Sequence, residues 1–160
     1  MTIKQKITPC LWFDNNVEEA IDFYSSIFKD TRVLNKSYYA DSDHFPKGTL
    51  LTATFELAGQ QFLALNGGPA FHFTEAISFM VSCNSQAEID ELWEKLIEGG
   101  GQHSECGWLK DKFGLSWQII PAQLEAWISG DPKKSAAVMK VVMKMKKLII
   151  ADMEKAYKAA

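Results

Sequence analysis

Three histidines, three cysteines and a few isolated carboxylates are the side chains in this sequence with types suited to chemistry. His44, His72 and His103 are far apart along the chain. His72 and Glu75 make one HxxE pair, but a zinc site needs three or four converging ligands and hydrogen-bond partners behind them. A surface or structural role is the favoured reading of all three histidines. Cys10, Cys83 and Cys106 have neither CxxC spacing nor the even count of a disulfide framework, which points to a reducing, cytoplasmic setting. Cys106 is a conceivable nucleophile on a strand beside Trp108, with His103 and Lys110 close in sequence. Activation needs a base or a positive field against the thiol. No motif supplies one, so an inert, buried cysteine is favoured. Asp111 opens the segment Asp-Lys-Phe-Gly, where an aspartate serves a turn.

The elements that must carry these residues come in a repeating order. Ile7 to Phe13 reads as an apolar strand. Asn16 and Glu19 then have capping-box spacing, and Val17, Ala20, Ile21, Tyr24, Ile27 and Phe28 repeat at helical spacing. Strands follow at Thr31 to Tyr39, Thr49 to Leu57 and Gln60 to Asn66, the last two around Ala58-Gly59. The order restarts with a strand at Ala76 to Ser82. A helix capped by Ser85 and Glu88 comes next, with Ile89, Leu92, Trp93, Leu96 and Ile97 as its stripe and Gly99 to Gly101 at its end. Strands at Gln102 to Lys110 and Leu115 to Ile120 close the unit. The two helices start about 70 residues apart, which reads as an internal duplication. Beyond Pro121 a short helix spans Gln123 to Ile128, and Asp131-Pro132 starts a further helical region. Its stripe of Met139, Val142, Met143, Ile149, Ile150, Met153 and Tyr157 reads as packing.

The chain has 160 residues and a net charge of −3, enough for one domain with its own core. From Asp131 onward there are eight lysines against three acids, and the other 130 residues carry a net −8. An acidic body with Arg32 as its one arginine is a poor nucleic-acid binder. No apolar run reaches the length of a membrane span, and Met1 to Lys6 does not read as a signal peptide. The basic tail reads as a solvated helix face docked on the acidic body.

The segments ITPCLWFDNNVEEAIDFY (7–24), GGPAFHFTEAISFMV (67–81) and CGWLKDKFGLSWQIIP (106–121) resemble the vicinal oxygen chelate superfamily. That superfamily includes glyoxalase I, the bleomycin and fosfomycin resistance proteins and the extradiol dioxygenases. Within it the chain resembles the PhnB-like branch, often labelled 3-demethylubiquinone-9 3-methyltransferase, and the tail segment 140–157 is similar to that branch as well. The resemblance implies an α+β fold of paired βαβββ modules. They form an open cup-shaped sheet with helices on its convex face and a ligand or metal on the concave one. The modules fall at about 5–67 and 74–121, with C-terminal helices at about 122–160. It also implies a homodimer, with modules swapped between subunits in some members.

Matching those motifs, the first-strand metal position of the superfamily falls on Pro9, which has no donor, and the last-strand glutamate position falls on Gln118. The inner position of the second module falls near Ala76 to Ser78, without a histidine. The expectation is therefore no metal and no cofactor. The methyltransferase label finds no glycine-rich turn of the GxGxxG kind in the residues. If Pro9 and Gln118 mark the cup, strand alternation puts Leu11, Phe13, Ser116 and Ile120 there too, and puts Cys10, Trp12, Trp117 and Ile119 beneath the helices. The expected ligand-binding set is Pro9, Leu11, Phe13, Ser78, Cys106, Trp108, Ser116 and Gln118, with Asn66 as a further polar group. Such a lining suits a small apolar or aromatic ligand. The expected function is ligand binding by a cytoplasmic homodimer, without nucleic acid or membrane. A metal-independent lyase, isomerase or transferase using Gln118, Cys106 or Asp111 is the alternative, and a tail that binds a partner protein is a third reading.

Overall fold

The computed structural model of the chain describes residues 5–41 and 43–160. The chain divides into two units, one ending at His72 and one running Phe73–Ala160. The first contains β1 (Cys10–Phe13), α1 (Val17–Ile27), β2 (Thr31–Tyr38), β3 (Leu50–Leu57) and β4 (Gln60–Asn66). Its sheet order is β1-β4-β3-β2, with β1 parallel to β4 and the other pairs antiparallel. The second unit repeats the series as β5 (Ser78–Cys83), α2 (Gln86–Lys95), β6 (Gln102–His103), β7 (Trp108–Lys110) and β8 (Ser116–Pro121). Its order is β5-β8-β7-β6, again with a parallel first pair. Matching strand order and direction make the fold a duplicated βαβββ module of the α+β class. Three helices follow in the second unit: α3 (Leu124–Ser129), α4 (Pro132–Val142) and α5 (Ile150–Ala159).

In α1 and α2 the helix forms because its apolar stripe has a sheet face to cover. In α1 the stripe Val17, Ala20, Ile21 and Tyr24 is buried. The facing sheet residues Leu11, Phe13, Ala53, Phe55, Phe62 and Ala64 are buried with it. Asn16 stands at the N-cap but makes no capping bond with its side chain. The cap comes instead from β4. Asn66 Oδ1 accepts the Val17 N–H at 3.1 Å, and Asn66 Nδ2 donates to the Leu50 carbonyl at 3.0 Å. One buried amide thus ties helix to sheet. In α2 the local signal suffices: Ser85 Oγ accepts the Glu88 N–H at 3.2 Å, and Glu88 Oε2 accepts the Asn84 N–H at 2.7 Å.

The expected strand from Gln102 to Lys110 is broken. Cys106 (φ 57°) and Gly107 (φ 82°) are both left-handed, so the chain reverses between β6 and β7. A Cβ on Gly107 would also crowd the Ile119 carbonyl. Cys106 therefore sits in a turn, which corrects its expected place on a strand. Its N–H donates to the Met145 carbonyl at 2.8 Å, and the Gly107 N–H donates to the Lys146 carbonyl at 2.7 Å.

The tail packs on its own unit. Asp131 caps α4 by accepting the N–H groups of Lys133 and Lys134. Val138, Val142, Leu148 and Met153 close over Ile120 of β8. Gln86 clasps the turn before α5, donating to the Leu148 carbonyl at 3.1 Å and accepting the Ile150 N–H at 2.8 Å. Lys147 pairs with Asp90 of α2 at 2.9 Å. The expected stripe is split: Val142 and Met153 are buried, while Met139 and Met143 are exposed.

The Asn66 bridge has a measurable worth. Asn66→Ala leaves a buried helix N–H and a strand carbonyl without their partner and is expected to cost about 2 kcal/mol. Asn66→Asp keeps the acceptor for Val17 and should lose less. Denaturant unfolding at fixed pH measures both, and equal stability of wild type and Asn66→Ala would refute the bridge.

Candidate ligand-binding site

In the first unit the residues paired across the strands divide cleanly by burial. Leu11 pairs with Ala64, which pairs with Ala53, and Phe62 pairs with Phe55. All of these are buried, on the face that Asn66 joins to α1. Leu11 and Phe13 are therefore core residues beneath the helix, and the expected parity of β1 is corrected by one position. Cys10 and Trp12 take the other face, with Leu63, Leu65, Thr52 and Thr54 beside them. Pro9 precedes β1, half-buried, with its carbonyl accepting the Leu63 N–H at 2.9 Å. Asn66, expected as a polar group of the cup, is spent on the helix cap.

Trp12 is the organised group on this face. Its indole N–H donates to the Gly68 carbonyl at 2.8 Å. Phe71, which is exposed, meets it edge to face with ring centroids 4.9 Å apart. Any side chain at Gly67 would overlap the indole ring, so the glycine is required by Trp12 and not by a turn. The sequence signal for this pair was the Gly67-Gly68 break after β4, which by itself shows no aromatic partner.

In the second unit the residues of β8 alternate between two faces. Trp117 and Ile119 are buried in register with Phe79 and Val81. Ser116 and Gln118 alternate with them and pair with Ser78 and Met80 of β5. Gln118 Nε2 donates to Ser78 Oγ at 2.9 Å, and Trp108 of β7 pairs with Gln118. Ser116 is 1% exposed, and its hydroxyl has no hydrogen-bond partner among the described residues. Ile120 is on the same parity but is covered by the tail helices. At the end of β7 Lys110 pairs with Glu75 at 2.5 Å. The lysine's hydrogen bond holds the Glu75 carboxyl below its ordinary pKa.

The residues weighed for catalysis have other work. Asp111 is buried. Its Oδ1 accepts the N–H groups of Phe113 and Leu115, and its Oδ2 accepts the Trp117 indole N–H at 2.9 Å. It organises the β7–β8 turn. His103 stacks on Trp93 with centroids 4.4 Å apart and bonds to the Trp93 carbonyl. The Cys106 thiol faces Met143. A separate pocket of about 360 Å³, lined by Asn16, Glu18, Thr49 and Asn66, lies at the start of α1.

The sequence model of the 3-demethylubiquinone-9 3-methyltransferase family matches residues 5–120. The chain belongs to this PhnB-like family. The PhnB protein of Bacillus cereus, which bears the same methyltransferase label, is 36% identical over 72% of this chain and 99% of its own, with a TM-score of 0.65. A Pseudomonas aeruginosa protein is 21% identical over 74% of this chain and 98% of its own, with a TM-score of 0.59. The fosfomycin resistance protein FosX of Listeria monocytogenes, whose structure holds Mn(II) and sulfate, is 16% identical over 78% of this chain and 94% of its own, with a TM-score of 0.52. It shares the fold. No curated protein matches. The family match stops at residue 120 and leaves α3, α4 and α5 outside it.

A metal of the kind FosX holds does not fit the PhnB-like residues. Pro9 offers no donor, and the Gln118 amide is turned to Ser78. Among the described residues no three of His, Cys, Asp and Glu are grouped to hold an ion.

The Glu75–Lys110 pair gives a signed test. A depressed carboxyl pKa means that the pair is intact above the ordinary glutamate range and dissolves as pH falls through the lowered value. Lys110→Met should return the Glu75 pKa upward toward its usual value, read by carboxyl NMR titration. An unchanged titration would show that the lysine is not its cause.

Proposed function

We propose that this PhnB-like protein binds a small apolar or aromatic molecule on the sheet faces turned away from α1 and α2, without a metal, and acts as a cytoplasmic homodimer. The observation that carries the reading is the Trp12–Phe71 pair, an ordered indole beside an exposed ring. Large aromatic side chains held open to solvent are costly to leave uncovered and efficient at gripping a flat, apolar ligand. The first unit offers this apolar grip. The second offers polar groups of its own: Ser78, Gln118 and the hydroxyl of Ser116. A buried hydroxyl without a partner is expensive, and a hydroxyl or carbonyl group of a ligand would satisfy it. Ser78, Trp108, Ser116 and Gln118 therefore stay as the set proposed for the second unit, and Trp12 and Phe71 make up the set proposed for the first. Leu11 and Phe13 leave the first unit's set, because they lie on the sheet face that α1 covers. Pro9 and Cys106 do not contribute: one is held by its backbone ahead of β1, the other lies in the turn before β7.

The metal-free part of the proposal rests on the donor set described above. The cytoplasmic part rests on Cys10, Cys83 and Cys106, all of them free thiols, as a reducing compartment would keep them.

Native mass spectrometry of untagged protein tests the reading. The expected species is a dimer carrying an organic adduct, with no gain of Mn(II) or Zn(II) when either is supplied. Trp12→Ala should lose the adduct, or weaken a screened aromatic ligand at least tenfold, with the thermal transition retained. A stoichiometric divalent ion, or an adduct indifferent to Trp12→Ala and Gln118→Ala, would overturn it.

A further inference from the structure

Two methionines of the tail are exposed. Met143 is 66% exposed and Met139 is 37% exposed, while their neighbours Val138 and Val142 fill the core. The Met143 N–H donates to the Met139 carbonyl at 3.0 Å, so the two side chains lie one turn apart on the same face. Met143 nevertheless has a defined neighbour. Its thioether sulfur lies 3.8 Å from the Cys106 thiol. Cys106 is held in place by its backbone: it is left-handed, its N–H is bound to the Met145 carbonyl, and the Gly107 N–H is bound to the Lys146 carbonyl. Two segments distant in sequence are thus locked together with their sulfurs adjacent and reachable from solvent.

We propose that Cys106 and Met143, with Met139 one turn earlier as a third donor, form a binding site for a soft monovalent cation, Cu(I). Thiolate and thioether are the donors that select Cu(I) over hard ions. The spacing suits one shared ion. With metal–sulfur bonds of about 2.3 Å, sulfurs 3.8 Å apart subtend about 110° at the metal. That angle is too small for linear two-sulfur binding and leaves room for a third sulfur. Charge argues for a single positive charge on the ion. Lys140, Lys144 and Lys146 flank the site in sequence, and among the described residues Lys146 has an acid partner, Glu105 at 3.9 Å. A divalent ion would meet twice the repulsion, whereas Cu(I) on one thiolate and two thioethers is neutral. On binding, the Cys106 proton leaves to solvent and the S–Cu bond takes its place. No electron is transferred. The site is separate from the sheet faces proposed for the organic ligand and does not depend on them.

The other cysteines are simple to control for. Cys83 is buried, and burial pushes its thiol up to about 12, with Glu88 adding to the shift, so it stays protonated. Cys10 is exposed and has to be removed. Full-length Cys10→Ser protein, reduced and anaerobic, is titrated with Cu(I) against a chromophoric Cu(I) chelator, with stoichiometry read by native mass spectrometry. The expected result is one Cu(I) per chain. Cys106→Ser should abolish it, and Met143→Leu, which conserves side-chain volume, should weaken it at least tenfold. The thermal transition of each variant checks that it is folded. Loss of all copper to the chelator overturns the proposal. So does a Met143→Leu variant that binds as tightly as its parent, because the thiol would then act alone. Zn(II) bound as tightly as Cu(I) would also overturn it.

Discussion

Each sheet in this chain has a helix packed on one face, α1 in the first unit and α2 in the second, so its inner strands divide their residues between the face under that helix and the face turned away from it. Burying the covered face is the dominant favourable term, and it leaves the assignment of each residue no freedom: a shift by one position turns a strand's whole apolar set to the wrong side. In the first unit Leu11, Ala53, Phe55, Phe62 and Ala64 are buried together. Trp12 and its neighbours are what that burial leaves over. In the second unit Trp117 and Ile119 are buried, and Gln118 with Ser78 takes the opposite face. The open face is defined by exclusion from the core before any ligand chemistry is considered.

Two buried polar residues keep this division in register. Asn66 spans a helix N–H and a strand carbonyl, and Asp111 gathers two backbone N–H groups and an indole at the β7–β8 turn. Asn66 both accepts and donates, Asp111 accepts three times, and a buried polar group that is hydrogen-bonded in this way stabilises rather than costs. Asp111 lies beside the open face in sequence and has a residue type suited to acid–base work. Its hydrogen bonds show why type alone is a poor guide to catalysis. The tail is secured in a similar manner: Gln86 reaches from α2 to both sides of the turn before α5. The basic segment is thereby held on the second unit and is not left to wander as a charged arm.

Much of the fold was legible in the sequence because its signals are local. Capping boxes, period-3.6 stripes and glycine stops depend on residues within one or two turns of each other. Ser85 with Glu88 and Asp131 with Lys133 and Lys134 formed as their spacing implied. The signals that failed were those whose partner is distant. Asn16 has the right type for a cap, yet Asn66 supplies it from a strand 49 residues away. The segment from Gln102 to Lys110 has strand composition, yet its middle is drawn into a turn by two carbonyls of the tail, those of Met145 and Lys146. Met139 and Met143 have helical spacing, but the core was already filled by Val138 and Val142.

The candidate site divides along the same line. The sequence by itself determined that the chain duplicates a βαβββ module, through residue types and local order, and its motifs carried the resemblance to the PhnB-like proteins. Only the tertiary structure decided which side of β1 is open, that Trp12 and not Phe13 faces outward, and that Cys106 meets Met143. Strand parity has no local marker in a run as uniformly apolar as Cys-Leu-Trp-Phe, because either alternate set could be buried. The choice is made by the strand and helix packed against it, through register and burial that the run itself does not encode.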